Sequence, residues 1–579
     1  MKKIRFLALV LVVAALMTGC GSDGSTSETG ASDNNISQTE PPTSETQPTE
    51  TDAPAEFVTL FSKNGKNDFT IIEGKHNNAN GLNLFASALM QKIGHNIKIR
   101  ESSTEVSENE ILIGYVNNRE ESVSTYADIP SYEYYVGFVN GKLVIAAYTS
   151  AGLQLALDYV AAYITKNDNG DYGFMSDLKQ TGRGIRVDFD VPKVVTKRGY
   201  VLDGAASNSM MHLAYKNVTS EEVANYGTLL KEKGYTEHST NSISDNKFAT
   251  YYNNELEVHT MYFPQLKDFR VVFGKKGYIP STQAPEFTRL NDVSLTQNVF
   301  SQNDSGMSYM LKLADGSFII IDGGRNFSGY DKALWNYLNT NKPASDSKPR
   351  VTWMFTHAHS DHMQLAINFL INYKDKIDLQ MVCYNFPDTN AMPYKGAGLS
   401  PYIKDLKSTL KNYYSKTEIF VYHSGQKLLL PGVDIEFLAT QEDYWPLEFT
   451  NENLTSNVWR MTFEDGRTML VVGDLEITGS ERLTTIYSTE LESDIFQVNH
   501  HGYSGFTQKL IDYVDPKICL WSSIRAKFED NSAITGSASN AQLKAYLKNT
   551  KWTRADGTSG DRLHYHGEAK FNIVFKSAT

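Results

Sequence analysis

Residues 356–362 read Thr-His-Ala-His-Ser-Asp-His, and this segment constrains the fold more than any other in the chain. His357, His359, His362 and Asp361 all fall within it. The run Val351-Thr-Trp-Met-Phe355 before it is apolar, β-branched and aromatic, and reads as a buried strand. Residues 363–370 after it carry helical spacing. Imidazole and carboxylate are the usual ligands of zinc and related first-row metals. Placed on a strand-to-helix turn, the four donors project into one volume. They exceed what a single open catalytic site uses, which predicts two metals. A merely polar loop is the alternative, but the chain has only 13 histidines in 579 residues, so a run this dense is rare by chance.

The chain opens Met-Lys-Lys-Ile-Arg, continues almost without a polar residue over 6–17, and reaches Thr-Gly-Cys20. A basic start, a short apolar segment and small residues form a secretory signal, too short for a stable spanning helix. Leu16-Met-Thr-Gly-Cys20 resembles a bacterial lipoprotein signal, in which the cysteine is lipidated. That resemblance implies residues 1–20 as signal peptide, a membrane anchor at Cys20, and an extracytoplasmic location on the bacterial surface. Residues 21–56 are Ser, Thr, Pro, Gly, Asn and acids, cannot bury a core, and are expected to be a disordered linker. The net charge of −12 divides into +3 in the signal, −8 in the linker and −7 over 57–579. The remainder is thus only mildly acidic, which argues against a stable nucleic-acid partner held by electrostatics. Besides Cys20, only Cys383 and Cys519 occur, both in apolar surroundings, and both read as small buried hydrophobes.

About 520 residues beyond the linker suffice for three domains. Residues 57–185 alternate strand-like and helix-like stretches, with strands at 69–72, 110–114, 134–140 and 142–147 and helices at 82–93 and 152–164. The segment Ile111-Leu-Ile-Gly-Tyr-Val-Asn-Asn-Arg119 and the strands after it resemble the non-catalytic domain preceding the barrel in hexosaminidase and glucuronidase chains. His76 and His95 are isolated there. Residues 195–280 read as a small α+β unit, with a helix over 221–233 and strands at 248–252, 257–261 and 269–273. No chemical motif stands out in that unit.

Residues 286–579 repeat one pattern, an apolar strand running into a chemically loaded turn: 317–321 into Asp322-Gly-Gly, 351–355 into the histidine turn, 468–472 into Gly473-Asp474-Leu-Glu476, 495–499 into His500-His501-Gly. Loops gathered at one edge of a sheet scaffold can converge distant ligands. In this order the landmarks resemble the metallo-β-lactamase fold superfamily, an αββα sandwich, so the chain is expected to be α/β multidomain with that sandwich at its C-terminus. The resemblance implies His357 and His359 on a first metal, Asp361 and His362 on a second, and Asp474 bridging them. One of His500/His501 completes the second site. Strand alternation argues against both on the same ion; His501 is taken as the ligand, leaving His500 to face substrate or to support the ligands. Asp322 supports the ligands by hydrogen bonding. Zinc is the expected metal, one or two ions, with manganese or iron as substitutes.

One departure from that pattern stands out. The superfamily's third histidine on the first metal is missing, and Asn453 or Asn451 is the candidate replacement. His423 lies in what reads as an ordinary turn. The Asn-rich Ser-Asn-Val segment with His-His-Gly resembles the lactamase-like domain of the competence DNA-uptake channel. Asp474-x-Glu476 with His500-His501 resembles the choline-releasing phosphodiesterase of pneumococcal surfaces. Both imply phosphoester chemistry on a small-molecule or polymer substrate by a binuclear-metal hydroxide, with Asp361, His500 and Glu476 as catalytic groups. His564-Tyr-His566 places two histidines on one strand face, near the site mouth or simply exposed. The competing reading is a surface carbohydrate- or cell-wall-binding lipoprotein whose third domain is degenerate. Thirty-three tyrosines and six tryptophans supply aromatic surface for it.

Overall fold

The computed structural model describes residues 55–66, 68–76, 79–129, 133–147, 150–183, 201–205, 210–299, 306–387, 401–443, 452–530 and 538–577. The signal, Cys20, nearly all of the linker and Asn451 lie outside them. Among the described residues no helix is long and apolar enough to cross a membrane.

The molecule is a mixed α/β protein built on several sheets. Its C-terminal part holds two seven-stranded sheets packed face to face. The first runs in space Glu418–Phe420, Asp378–Cys383, Arg350–Met354, Phe318–Ile321, Tyr309–Lys312, Val293–Gln297 and Ile573–Phe575. The second runs Lys427–Leu430, Val433–Ala439, Val458–Phe463, Thr468–Val471, Ile495–Gln497, Ile518–Trp521 and Leu563–His566. Period-two alternation divides each sheet between two cores. In Phe318–Ile321, Ile319 and Ile321 point between the sheets, where Phe437, Trp459, Met461 and Val471 meet them. Phe318 and Ile320 point outward against Leu334, Leu338, Phe369 and Leu406 of the helices Tyr330–Asn341, Ser360–Asn372 and Tyr402–Tyr413. The outer face of the second sheet is covered by the helices Ile477–Tyr487, Gln508–Val514 and Ala538–Asn549. The result is an αββα sandwich. Cys383 and Cys519 are free and buried, one in the inner core and one in an outer core.

In both sheets the central strands are parallel: Phe318–Ile321, Arg350–Met354 and Asp378–Cys383 in one, Thr468–Val471, Ile495–Gln497 and Ile518–Trp521 in the other. Asp322, Thr356, Gly473, Asp474, His500, His501 and Ser522 all follow the C-terminal ends of such strands. Parallel strands leave those ends along one edge, where open α/β sheets bind their ligands.

The N-terminal part holds a six-stranded sheet, ordered Ile99–Glu101, Thr70–Glu73, Glu110–Ile113, Lys142–Ala147, Glu133–Val139 and Lys179–Arg183. One face packs on the helices Ala79–Ile93 and Ser150–Tyr163. A buried Arg119 fork grips Glu110 at 2.8 Å on both carboxylate oxygens. Between this part and the sandwich lies a six-stranded sheet, antiparallel throughout: Val201–Ala205, Met211–Lys216, Asp268–Lys275, Leu256–Phe263, Asn246–Tyr252 and Thr236–Ile243. Val258, Val271 and Phe273 share a core with Leu112 and Val144 of the N-terminal sheet. Met261, Phe263 and Val272, on the opposite face, share one with helices of the sandwich. Three of its strands, Val201–Ala205, Met211–Lys216 and Thr236–Ile243, were not anticipated from sequence.

The seam between this sheet and the sandwich is tight at Gly425. Its φ is +84°, and a Cβ there would lie 1.9 Å from Cγ of Phe248. Gly425→Ala is therefore expected to destabilise the protein by about 1–3 kcal/mol through overpacking. Hydrogen exchange should locate the loss in the strands Asn246–Tyr252 and Leu256–Phe263. Unchanged protection in those strands would contradict this.

Candidate metal centre

Asp322 organises the histidine turn. It is fully buried at φ 54°. Its carboxylate accepts the Thr356 N–H at 2.8 Å and the Thr356 hydroxyl at 2.6 Å, and Nδ1 of His362 lies 2.7 Å away. Nδ1–H of His362 is thereby committed, which turns Nε2 into the pocket. The turn then enters the helix Ser360–Asn372, so Asp361 sits in a first helical turn, where a carboxylate is favoured.

Two donor groups form at this edge and share one residue. Asp361, His362, Asp474 and His501 make one; His357, His359 and Asp474 make the other. Oδ2 of Asp474 lies 3.2 Å from His362 Nε2, 3.4 Å from His501 Nε2 and 3.7 Å from His357 Nε2. His501 Nε2 is also 3.4 Å from Asp361. Its Nδ1 donates to the Ser522 carbonyl at 2.8 Å, which again turns Nε2 inward.

His500 and His501 reach this edge by a route that strand alternation does not describe. The strand ends at Gln497, and both histidines sit in a turn with φ of 44° and 56°. Neighbours in such a turn need not point apart, and both rings lean toward Asp474. His501 joins the second donor group. His500 stays at the rim, with Nδ1 2.6 Å from the Ser504 hydroxyl, 3.6 Å from Glu476, and Nε2 3.8 Å from Asp474.

The electrostatics suit a cation. Burial pushes the Asp474 carboxyl up, but the imidazoles of His362, His501, His500 and His357 outweigh it and hold the group well below the usual range. Burial disfavours the His362 cation, yet Asp474 and Asp322 raise its pKa to about 10; Asp474 and Asp361 likewise raise His501. His357 is driven down by burial and by His362 beside it. Nε2 of His362, Nε2 of His501 and Oδ1 of Asp474 are buried with no hydrogen-bond partner among the described residues. Inward-turned imidazole nitrogens around a shared carboxylate fit divalent first-row ions, whose binding would displace those protons.

At the place of the missing third histidine, Asn453 turns its amide nitrogen to Glu476 at 3.1 Å and lies 3.5 Å from His500, beside the rim. Glu452, buried beside it, puts Oε2 3.2 Å from His359 Nε2. Its one sequence signal was an acid in the segment where the third donor belongs. Arg325, after Asp322-Gly-Gly, was also passed over; its guanidinium lies 3.9 Å from Asp361. His423 is not here: its Nδ1 is 2.7 Å from Glu442, and it groups with Glu257 and His259 instead. His564 and His566 share a strand face, both against Phe528, with His564 accepting from Trp521 at 3.1 Å. Neither belongs to the donor groups.

No protein-family model matches the chain, and no curated protein matches it. Among solved structures it is similar to a diiron β-hydroxylase from Streptomyces venezuelae at 12% identity and TM-score 0.28, over 52% of this chain and 55% of that one. The chain thus spans about half the length of that hydroxylase. It is also similar to a metallo-β-lactamase from Cronobacter sakazakii, at 14% identity and TM-score 0.21, over 42% of this chain and 79% of that one. A long form RNase Z from yeast gives 11% identity and TM-score 0.27, over 49% and 41%.

Because Asp474 belongs to both donor groups, Asp474→Asn is expected to lower the metal content of the purified protein by more than His359→Ala does. Asp322→Asn should weaken metal affinity by ~10–100-fold while keeping the ligands in place. Elemental analysis and competition with a chelator measure both. Equal content in all three variants and the parent would remove the assignment.

Proposed function

We propose that residues 286–579 form a metal-dependent hydrolase of the metallo-β-lactamase fold, acting on a phosphoester and most directly on a phosphodiester. The observation that carries this is Asp474, shared by two groups of inward-facing donors. Bound divalent ions would supply Lewis acidity toward a phosphoryl oxygen and a water ionised near neutral pH. His357, His359 and Asp474 would hold the first, with Glu452 the acid in reach of it. Asp361, His362, Asp474 and His501 would hold the second. Zinc fits both sets, and iron or manganese is compatible with them.

The remaining steps belong to the rim. His500 is partly exposed, and the Ser504 hydroxyl and the Glu476 carboxylate orient its Nδ1, so Nε2 faces the pocket as the group that donates a proton to the leaving oxygen. Asn453 donates to the Glu476 carboxylate at 3.1 Å and so holds that acid beside the histidine. Arg325 stands partly exposed beside Asp361, and its planar fork matches two phosphate oxygens. Converged donors favour this reading over a carbohydrate-binding lipoprotein with a degenerate third domain. The first two parts of the chain are then accessory, and contact with cell-wall or other polysaccharide is the role proposed for them.

Hydrolysis of bis-p-nitrophenyl phosphate by the zinc- or manganese-loaded chain tests the proposal. The parent should turn over, His359→Ala and Asp474→Ala should fall to background, and His500→Gln should lower kcat while leaving metal content unchanged. A fully loaded parent without activity on any phosphoester would overturn it. We place the enzyme on the outer face of the cell membrane, from the sequence leading to Cys20. Cys20→Ala should move the protein from the membrane fraction to the medium, and retention in the membrane would contradict that placement.

A further inference from the structure

The Glu257, His259 and His423 cluster lies outside the centre above and is buried on every side. Glu257 and His259 sit two apart on the strand Leu256–Phe263, so both point the same way as Met261 and Phe263, toward the sandwich. His423 comes from the sandwich, in the turn after Glu418–Phe420 that carries Gly425. The two imidazoles stack with ring centres 3.9 Å apart and planes at 23°.

Each ring has one nitrogen within hydrogen-bonding distance of a neighbour and one that is not. His423 Nδ1 donates to Glu442 at 2.7 Å, and His259 Nδ1 lies 3.2 Å from the Thr250 hydroxyl on the neighbouring strand. Nε2 of each is buried with no hydrogen-bond partner among the described residues. The exposures are 3% for His259 and 0% for His423. Buried imidazole nitrogens of this kind cost free energy unless something occupies them. The carboxylate on the far nitrogen of His423 is the arrangement that orients metal-bound histidines.

We propose that Glu257, His259 and His423 bind a divalent ion of the zinc class, which cross-links the antiparallel sheet to the sandwich. Oε1 of Glu257 and Nε2 of His259 are 3.9 Å apart, too far for a hydrogen bond. Ligand bonds of about 2.0–2.2 Å span that gap. Two histidines and one glutamate form an established zinc donor set with one position left for water. A small cavity with His259, Thr250 and Gln426 in its wall lies next to the cluster, and a larger cleft along the same seam shares Ser239, Asn241 and Gln426 with it. The ion's charge balances Glu257 and Glu442, which face two imidazoles that cannot both be cations at stacking distance. The alternative is a metal-free cluster of ion-paired imidazoles and acids.

The site is separable from the hydrolytic centre. The full-length Asp474→Asn/His362→Ala chain, stripped and reloaded with zinc, should keep one equivalent after gel filtration, and the same chain with cobalt(II) should show tetrahedral visible absorption. Adding Glu257→Gln or His423→Ala should remove that equivalent and abolish the rise in thermal midpoint on adding zinc. No retained metal in a double variant with native circular dichroism would overturn the proposal. So would retention after either further change. If those variants fail to fold, anomalous scattering at the zinc edge from crystals of the parent decides the matter. A peak between His259 and His423 supports the site; density there without one, beside an occupied Asp474 centre, refutes it.

Discussion

Burying the Asp474 carboxylate requires positive charge around it. The protein meets that requirement with imidazoles delivered from separate turns: His357 and His362 from one strand end, His500 and His501 from another. The architecture follows from this convergence. Two sheets with parallel centres bring their strand ends to one edge, and the inner core that joins them fixes how far apart those ends stand. Asp322 then fixes the tautomer of His362, and the Ser522 carbonyl fixes that of His501. A buried carboxylate ringed by imidazoles suits a divalent ion, whose binding would take the place of the imidazolium protons.

The rest of the molecule bears on that edge indirectly. The antiparallel sheet shares one core with the N-terminal sheet and another with helices of the sandwich, so it couples the two. Its sandwich face carries a buried polar cluster at the seam, where Arg270 donates to the Glu442 carbonyl at 2.6 Å and Asn246 to the Ile486 carbonyl at 3.0 Å. Polar groups buried between apolar layers specify one docking geometry, because any slip leaves them unsatisfied.

Much of the centre was legible because its donors are compressed. Four of them in the turn at 357–362 could be read as a unit, and an apolar strand running into Gly-Asp or His-His-Gly has few other uses. The parallel strands at 317–321, 351–355, 468–472 and 495–499 were equally plain as apolar runs, whereas of the outer-layer helices only the one following the histidine turn was read. What escaped reading depended on tertiary context. Thr236–Ile243 is largely polar and gives no alternation, being an edge strand of the antiparallel sheet. Glu257 and His259 have the two-residue spacing of a shared strand face, but their partner His423 arrives from another part of the chain through a turn that looks ordinary. Glu452 stands 3.2 Å from His359 in the segment where a histidine would be sought, and motif spacing does not reveal a residue of different type. The left-handed turn at His500 and His501 set aside an alternation rule that holds only while the strand lasts.

X-ray absorption at the metal edge of the loaded full-length protein tests the central claim, a carboxylate shared by two ions, most directly. A pair held through Asp474 predicts metal–metal scattering at about 3.5–4 Å, lost in Asp474→Asn while nitrogen and oxygen shells remain. A loaded parent showing only light-atom shells, with no metal neighbour, would contradict the account.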